Sequence, residues 1–198
     1  NYLHDSHIRY ALKVGANAIC EKPLVLNPWN IDQLKIIEKE TGKKIFNILQ
    51  LRLHPSIIKL RESVLREIKK NPKKVFDIDL TYITSRGRWY DVSWKGDILK
   101  SGGISSNIGV HFFDMLIWIF GEVIENEIHY KNSHTNAGFL RFKNANVRWF
   151  LSINSEYIPK QQKQENQFIY RSIKFDNDEI EFSDGFTDLH VESYKHIL

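Results

Sequence analysis

The chain has 198 residues, of which 42% are hydrophobic and 13% aromatic, enough apolar material to bury a sizeable core in one domain or one and a half. The formal net charge of +4 does not point to nucleic acid, because Lys43-Lys44, Lys69-Lys70 and Lys73-Lys74 fall at expected helix ends and turns, where cations meet terminal carbonyls, and no basic helix interleaves with aromatics. The single cysteine, Cys20, excludes an internal disulfide and suits a reducing, cytoplasmic setting, and the sequence reads as having no signal peptide and no apolar run near the ~20 residues of a bilayer span.

In chain order, Asp5 is the expected cap of a first short helix carrying Ile8, Ala11 and Leu12, with Gly15 at its left-handed end. "NAICE" reads as a brief buried strand. A second helix follows, capped by Asn27, with Pro28 in its first turn and Gly42 beyond its end. "KKIFNILQLRL" reads as a further strand, and Ile57, Leu60, Val64 and Ile68 line a helix that stops at Asn71-Pro72. This alternation suits the last part of a parallel α/β sheet. After residue 73 the pattern changes: Phe76, Ile78, Leu80 and Tyr82 alternate with Asp77, Asp79 and Thr81, the period-two signature of a strand with one covered face. More strands are expected near 123–131, 138–143, 147–153, 167–175 and 179–182, forming an open, mostly antiparallel sheet, with one long buried helix at about 104–119 and a polar loop at 159–167. The fold class is therefore α/β passing into α+β. The expected division is 1–53, the C-terminal part of a Rossmann-type dinucleotide-binding domain, and 54–198, a sheet domain for substrate binding and oligomerisation, incomplete at its C-terminal end.

On the long helix, Asn107, His111 and Asp114 form a polar stripe at i, i+4 and i+7 beside Ile108, Phe112 and Met115. A lone histidine there reads as a core group held by Asp114; three polar groups on an apolar helix read as a pocket wall, with Asp114 one turn away to orient His111 or raise its pKa for general-base work. Gly102-Gly103 before the helix allows a close backbone approach or simply a turn. Lys22, between Glu21 and Pro23, is held extended at the end of a strand, where α/β sheets bind ligands. It reads either as a side chain presented to a crevice or as a surface partner of Glu21, and its bond to Pro23 is open to cis as well as trans geometry. His4 and His7, with His54 and His111 elsewhere, lack the converging glutamate or cysteine of a zinc site, so no metal is expected. Cys20, embedded in a strand, is not an expected nucleophile. "SRGRWYDVSWKGD" at 85–97 suits an anionic, ring-bearing ligand, or a contact between subunits.

"EKPL" after a strand and "GGISSNIGVHFFDML" on a helix further along together resemble the Gfo/Idh/MocA family of nicotinamide-dependent sugar oxidoreductases, over essentially the whole chain. "NYLHDSHIRYAL", "CEKPLVLNPWN", "LQLRLHPS" and "NIGVHFFDML" are most similar to its UDP-N-acetylglucosaminuronate 3-dehydrogenases of surface-polysaccharide biosynthesis. That resemblance implies NAD as cofactor, with Asn1, His4, Glu21 and Lys22 on the cofactor side, Lys22 and His111 as the catalytic pair, and Asn107 and Asp114 at the sugar. Asn107 stands where many relatives carry aspartate, which leaves base duty to His111 and Lys22. Arg52, Arg88 and Tyr90 are candidates for the uronate or pyrophosphate. The resemblance also implies oxidation of a ring 3-hydroxyl to a ketone, reoxidation of the reduced cofactor by 2-oxoglutarate, and a homodimer or homotetramer. Other readings are a family dehydrogenase for an inositol or free sugar, and a non-catalytic sugar-binding or regulatory protein. No G-x-G-x-x-G occurs in the chain, so the phosphate-binding turn is expected upstream, the chain is expected to be a fragment, and by itself it should bind NAD poorly.

Overall fold

The computed structural model describes residues 1–175 and 178–198. Helix α1 (His4–Lys13) and strand β1 (Ala18–Cys20) are followed by α2 (Trp29–Thr41) and β2 (Ile45–Asn47), and the two short strands pair in parallel. Ile8, Leu12, Leu34 and Ile37 pack over them with Cys20. Asp5 does not cap α1; it lies in the first turn, where its carboxylate accepts from Arg9 Nε at 2.8 Å. Pro28, not Asn27, takes the cap position of the second helix; Asn27 lies one residue earlier, where its Oδ1 accepts the Trp29 N–H at 3.1 Å, and Gly42 takes the left-handed end at φ 67°. The strand expected through "KKIFNILQLRL" stops at Asn47, and Gln50–Leu53 closes into a 3₁₀ turn before α3 (Pro55–Lys70).

The larger sheet is built on β3 (Phe76–Thr84), β4 (Val123–Lys131), β5 (Thr135–Phe142), β6 (Ala145–Ser152), β7 (Ile169–Phe175) and β8 (Asp178–Glu181). Its order is β4-β5-β6-β3-β7-β8, antiparallel at every step except the central β3 and β6 pair. The alternation in β3 sets which face is covered: Phe76, Ile78, Leu80 and Tyr82 point into one core with Val147, Trp149 and Leu151. Ile57, Leu60 and Val64 of α3 cover that face together with Phe112, Met115, Leu116 and Ile119 of a helix described below. Each such side chain contributes about 1.5–3 kcal/mol when fully buried. On the opposite face, Asp79 and Arg148 stand in register and pair at 2.5 Å. Gly138 on β5 permits a close approach, because a Cβ there would lie 2.2 Å from the Glu127 backbone oxygen.

Three short helices complete the chain before its terminal one: α4 (Arg88–Val92), α5 (Ile98–Ser101) and, after α6 (Val110–Phe120), α7 (Lys160–Gln164) in the segment expected to be a polar loop. Taken as one run, Ile98–Phe120 has the length and apolar character of a bilayer span, contrary to the expectation of no such stretch; here it breaks at Gly102, φ 77°, and its second half packs in the core. Helix α8 (Leu189–Ile197), which no sequence pattern indicated, folds back onto the Gln50–Leu53 turn.

Candidate active site

Lys22 leaves the end of β1, and its bond to Pro23 is cis. His4 on α1 holds this turn by donating from Nδ1 to the Pro23 oxygen at 2.8 Å. The Lys22 ammonium donates to the backbone oxygen of Asn107, so it lies against the start of the long helix and not beside Glu21 on the surface. Burial lowers its pKa to about 8, Lys95 and Arg86 push in the same direction, and Glu21 opposes them. A lysine so placed is still mostly protonated at pH 7, releases its proton within about a unit above that, and keeps N–H donors for Asn107 in either form.

The helix is not regular where it meets Lys22. Residues Ser105–Gly109 form a π turn before α6 begins. Such a widened turn holds more backbone per revolution than an α-helix, and the expected stripe divides. Asn107 faces a larger lobe of a cleft, His111 faces a smaller one, and Asp114 faces neither. Asn107 accepts from Asn1 Nδ2 at 3.2 Å and donates to the Tyr90 hydroxyl at 3.4 Å, which links three of the expected site residues.

The expected service of Asp114 to His111 is overturned. Asp114 is held bidentately by Arg52, whose Nε donates at 2.7 Å and whose Nη2 donates to the other oxygen, and the contact raises the Arg52 pKa. This pair spans 62 residues of sequence and ties the 3₁₀ turn to α6. Asp114→Ala is expected to cost about 1–2 kcal/mol in chemical unfolding, modest for a bidentate pair because the Arg52 side chain remains 42% exposed. His111 is left with a buried Nδ1 that has no hydrogen-bond partner. Burial, then the charges of Lys22, Arg171 and His190, lower its pKa to about 3. The imidazole is neutral across physiological pH, the reverse of a raised pKa. In a proton-detected titration, His111 should show no transition between pH 5 and 8. The unfolded chain takes up that proton near pH 6.5 and the folded one near 3, so this group removes stability as pH falls through that window.

The smaller lobe, about 170 Å³, lies between Lys22, His111, Tyr82, Arg86 and Arg171. The larger, about 380 Å³, is bounded by Asn1, His4, Glu21, Tyr90 and Asn107, with Lys95 on its wall. Lys22 and Arg86 line both lobes, so the lysine stands where the two meet. Arg88 is exposed and lines neither lobe. Arg86, two positions earlier, does line them, and from composition alone the two arginines of "SRGRW" are indistinguishable. Arg171 and His190 are also absent from the sequence-derived set. His190 on α8 stands 3.6 Å from Glu21 and 3.3 Å from Gln50, a contact across more than a hundred residues that periodicity does not reveal. His54 turns out structural: its Nδ1 accepts from the Ser56 N–H at 3.2 Å and its Nε2 donates to the Asp184 oxygen at 2.8 Å. The Cys20 thiol is pushed up to about 11, chiefly by burial, far from a reactive thiolate. Among the described residues, no three His, Cys, Asp or Glu side chains converge as a metal site.

Comparison with known proteins gives this cleft its setting. The WlbA (WbpB) dehydrogenase of Thermus thermophilus, solved in complex with NAD and alpha-ketoglutarate, is 48% identical over 100% of this chain and 62% of its own, with a TM-score of 0.93. The same dehydrogenase solved with NAD and UDP-GlcNAcA matches at 47% identity and a TM-score of 0.93, again over 100% and 62%. Oxidoreductase P35 of Formosa agariphila is 27% identical over 71% of this chain and 47% of its own length. The chain thus spans less than two thirds of each of these proteins. Residues 71–178 match the oxidoreductase family's C-terminal alpha/beta domain, more than half of the chain, and the chain belongs to the Gfo/Idh/MocA oxidoreductase family.

Proposed function

We propose that the complete protein is an NAD-dependent oxidoreductase that converts the 3-hydroxyl of UDP-N-acetylglucosaminuronate to a ketone, for surface-polysaccharide synthesis in the cytoplasm. The observation that carries this reading is the buried, pKa-lowered Lys22 amine at the junction of two lobes, with a neutral His111 in one of them. The near relative crystallised with NAD and with UDP-GlcNAcA supports the choice of cofactor and sugar.

The larger lobe suits the nicotinamide and ribose end of NAD, because Asn1, His4 and Glu21 offer an amide, an imidazole and a carboxylate around a cavity that ends at Lys22. The chain contains no G-x-G-x-x-G to cradle the pyrophosphate. The chemistry NAD supplies when bound is hydride acceptance. Lys22 in its neutral form takes the hydroxyl proton, and the Asn107 backbone oxygen fixes the amine while it does so. His111, neutral and on the wall of the smaller lobe, hydrogen-bonds the reacting oxygen. Tyr90 and Asn107 line the larger lobe, tied to Asn1 by amide and hydroxyl contacts, and so face the cofactor side of the junction where the sugar meets Lys22. Arg52 and Asp114 act one step removed, by bracing α6 against the 3₁₀ turn.

By this reading residues 1–53 complete a dinucleotide-binding domain and 54–198 form the substrate and assembly domain. The exposed Ile124, Ile128 and Tyr130 of β4 are consistent with a homodimer or homotetramer, and 2-oxoglutarate returns the cofactor to its oxidised form, in keeping with the relative solved with alpha-ketoglutarate. The test is an assay of the full-length protein with NAD+ and a panel of UDP-uronates, inositols and free sugars, followed by nicotinamide absorbance. Reduction with UDP-N-acetylglucosaminuronate ahead of the others is the expected result, and silence with every UDP-uronate sinks the proposal.

A further inference from the structure

Arg171, in the middle of β7, is a cation of the cleft that the proton and hydride chemistry leaves without work. Its guanidinium carbon lies 3.9 Å from the ring centroid of Phe186 and 5.3 Å from that of Tyr82. Nη1 donates to the Ser183 backbone oxygen at 3.0 Å. Two aromatic contacts and one carbonyl hold the planar fork in place while occupying only part of its five donors. Four other arginines have carboxylate partners among the described residues: Arg9 with Asp5, Arg52 with Asp114, Arg141 with Glu125 and Arg148 with Asp79. Arg171 has no described carboxylate at ion-pair distance: burial disfavours its charge and Arg86 repels it, opposed by a hydrogen bond with the Tyr82 side chain and the charge of Glu181. A largely buried guanidinium compensated by a carbonyl, a tyrosine side chain, π faces and one carboxylate beyond ion-pair distance is costly unless an anion completes it.

The space beside it favours that completion. Among the described residues the smaller lobe is lined by three cations, Lys22, Arg86 and Arg171, and by no aspartate or glutamate. Like charges converging on one cavity raise the local concentration of anions. The remaining wall is mostly apolar, with Ile108, Phe112 and Phe186, so the anion arrives attached to a small organic body. A planar fork fixed against ring faces accepts a planar two-oxygen group bidentately.

We propose that Arg171 anchors the carboxylate of the ligand that enters the smaller lobe, with Arg86 as the second cation at the junction of the lobes. The inference rests on the dehydrogenase reading for the two candidate sources of that carboxylate, a hexuronate ring and a 2-oxo acid, and on the geometry alone for the site itself. It also relocates anion recognition from the Arg52 and Arg88 of the sequence reading, since one is committed to Asp114 and the other lies outside the cleft.

The experiment measures binding of three probes to the full-length protein in the presence of NAD+: UDP-N-acetylglucosaminuronate, 2-oxoglutarate, and UDP-N-acetylglucosamine, which carries a hydroxymethyl group in place of the carboxylate. Wild type is compared with Arg171→Gln and Arg171→Lys, each checked for an unchanged melting transition. The expected result is a loss of roughly 10- to 100-fold in affinity for carboxylate probes in Arg171→Gln, the range for a charged hydrogen bond. Arg171→Lys, which keeps the charge and loses the fork, should recover only part of it. Loss with the uronate alone assigns the ring carboxylate to Arg171, loss with 2-oxoglutarate alone assigns the oxo acid, and loss with both assigns a shared anchor; all three support the proposal. Equal loss for UDP-N-acetylglucosamine, or no loss for either carboxylate, overturns it, and so does a misfolded Arg171→Gln joined to an Arg86→Gln and Arg171→Lys pair that bind all probes as wild type does. If the wild type oxidises carboxylate-free sugars with no preference for uronates or oxo acids, the anchor fails and dehydrogenase activity stands. Arg171-dependent carboxylate binding without any cofactor reduction leaves the anchor standing and removes the dehydrogenase.

Discussion

Replacing Lys22 with methionine should lower the turnover of the full-length enzyme by roughly 10³-fold, the middle of the range for loss of a positioned proton acceptor, with a much smaller change in substrate KM. Methionine fills nearly the same volume, so the contact with the π turn is lost chiefly as a hydrogen bond from Nζ to the Asn107 oxygen. The wild-type pH profile carries the more specific signature. Lys22 must be neutral to take a proton, and its pKa in the free protein is about 8, so kcat/KM should climb with pH and level off above about 8. Below that the amine is protonated and cannot act as the base. Lys22→Arg keeps the positive charge but cannot deprotonate in this range, and its activity should stay low without the inflection. A wild-type profile flat from pH 6 to 9, or a Lys22→Met enzyme within tenfold of wild type, would remove Lys22 from the proton route.

His111 belongs to the same argument from the opposite direction. Of the ionisable groups that face the smaller lobe, Lys22 and His111 are both held toward their neutral forms, Lys22 at about 8 and His111 at about 3. The low value for His111 follows from burial and from the cations around it, Lys22 and Arg171 among them. The division of labour follows: the lysine changes protonation near working pH and the histidine does not.

How far these roles could be read before the fold was known depends on how local their causes are. Lys22 was legible because Glu21, Lys22 and Pro23 are contiguous and follow an apolar run. The alternation of Phe76, Ile78, Leu80 and Tyr82 marked a strand with one covered face for the same reason: one element carries the whole signal. The stripe of Asn107, His111 and Asp114 was legible as a stripe but assigned the wrong internal partnership. Helical spacing places Asp114 beside His111, and it takes the tertiary fold to bring Arg52 across and claim the carboxylate. The π turn at Ser105–Gly109 divides the stripe between two lobes, and no residue type in "SSNIG" announces it. Nothing in the strand pattern near 167–175 singled out Arg171, because its packing comes from Phe186 and Tyr82, outside that strand. His190 reaches Glu21 only because α8 folds back. What was missed is set by long-range contacts, which neither spacing nor propensity encodes.

Phe76→Ala should be the most damaging core substitution for stability, at about 3–5 kcal/mol in denaturant unfolding. Phe76 opens β3, the strand with neighbours on both sides at the centre of the sheet, and it is fully buried. Its ring stacks on Phe175 of β7 at 4.7 Å, lies 6.2 Å from Phe120 at the end of α6, and carries the Lys74 ammonium at 4.6 Å. One side chain therefore joins the central strand, its neighbour and the covering helix, and alanine leaves a void that three rigid elements cannot close together. The same strand carries Tyr82 near its other end and leads into Arg86, both in the smaller lobe. That end is fixed separately by pairing of Tyr82 with Leu151 and Arg171 across the sheet. Well below its lowered melting transition the variant should keep kcat/KM within about twofold of wild type, as distant and independent sites do. Loss of activity in step with no loss of stability would mean that β3 transmits strain along its length to the cleft, whereas loss of stability with activity retained would show that the two ends of β3 serve the fold and the site independently.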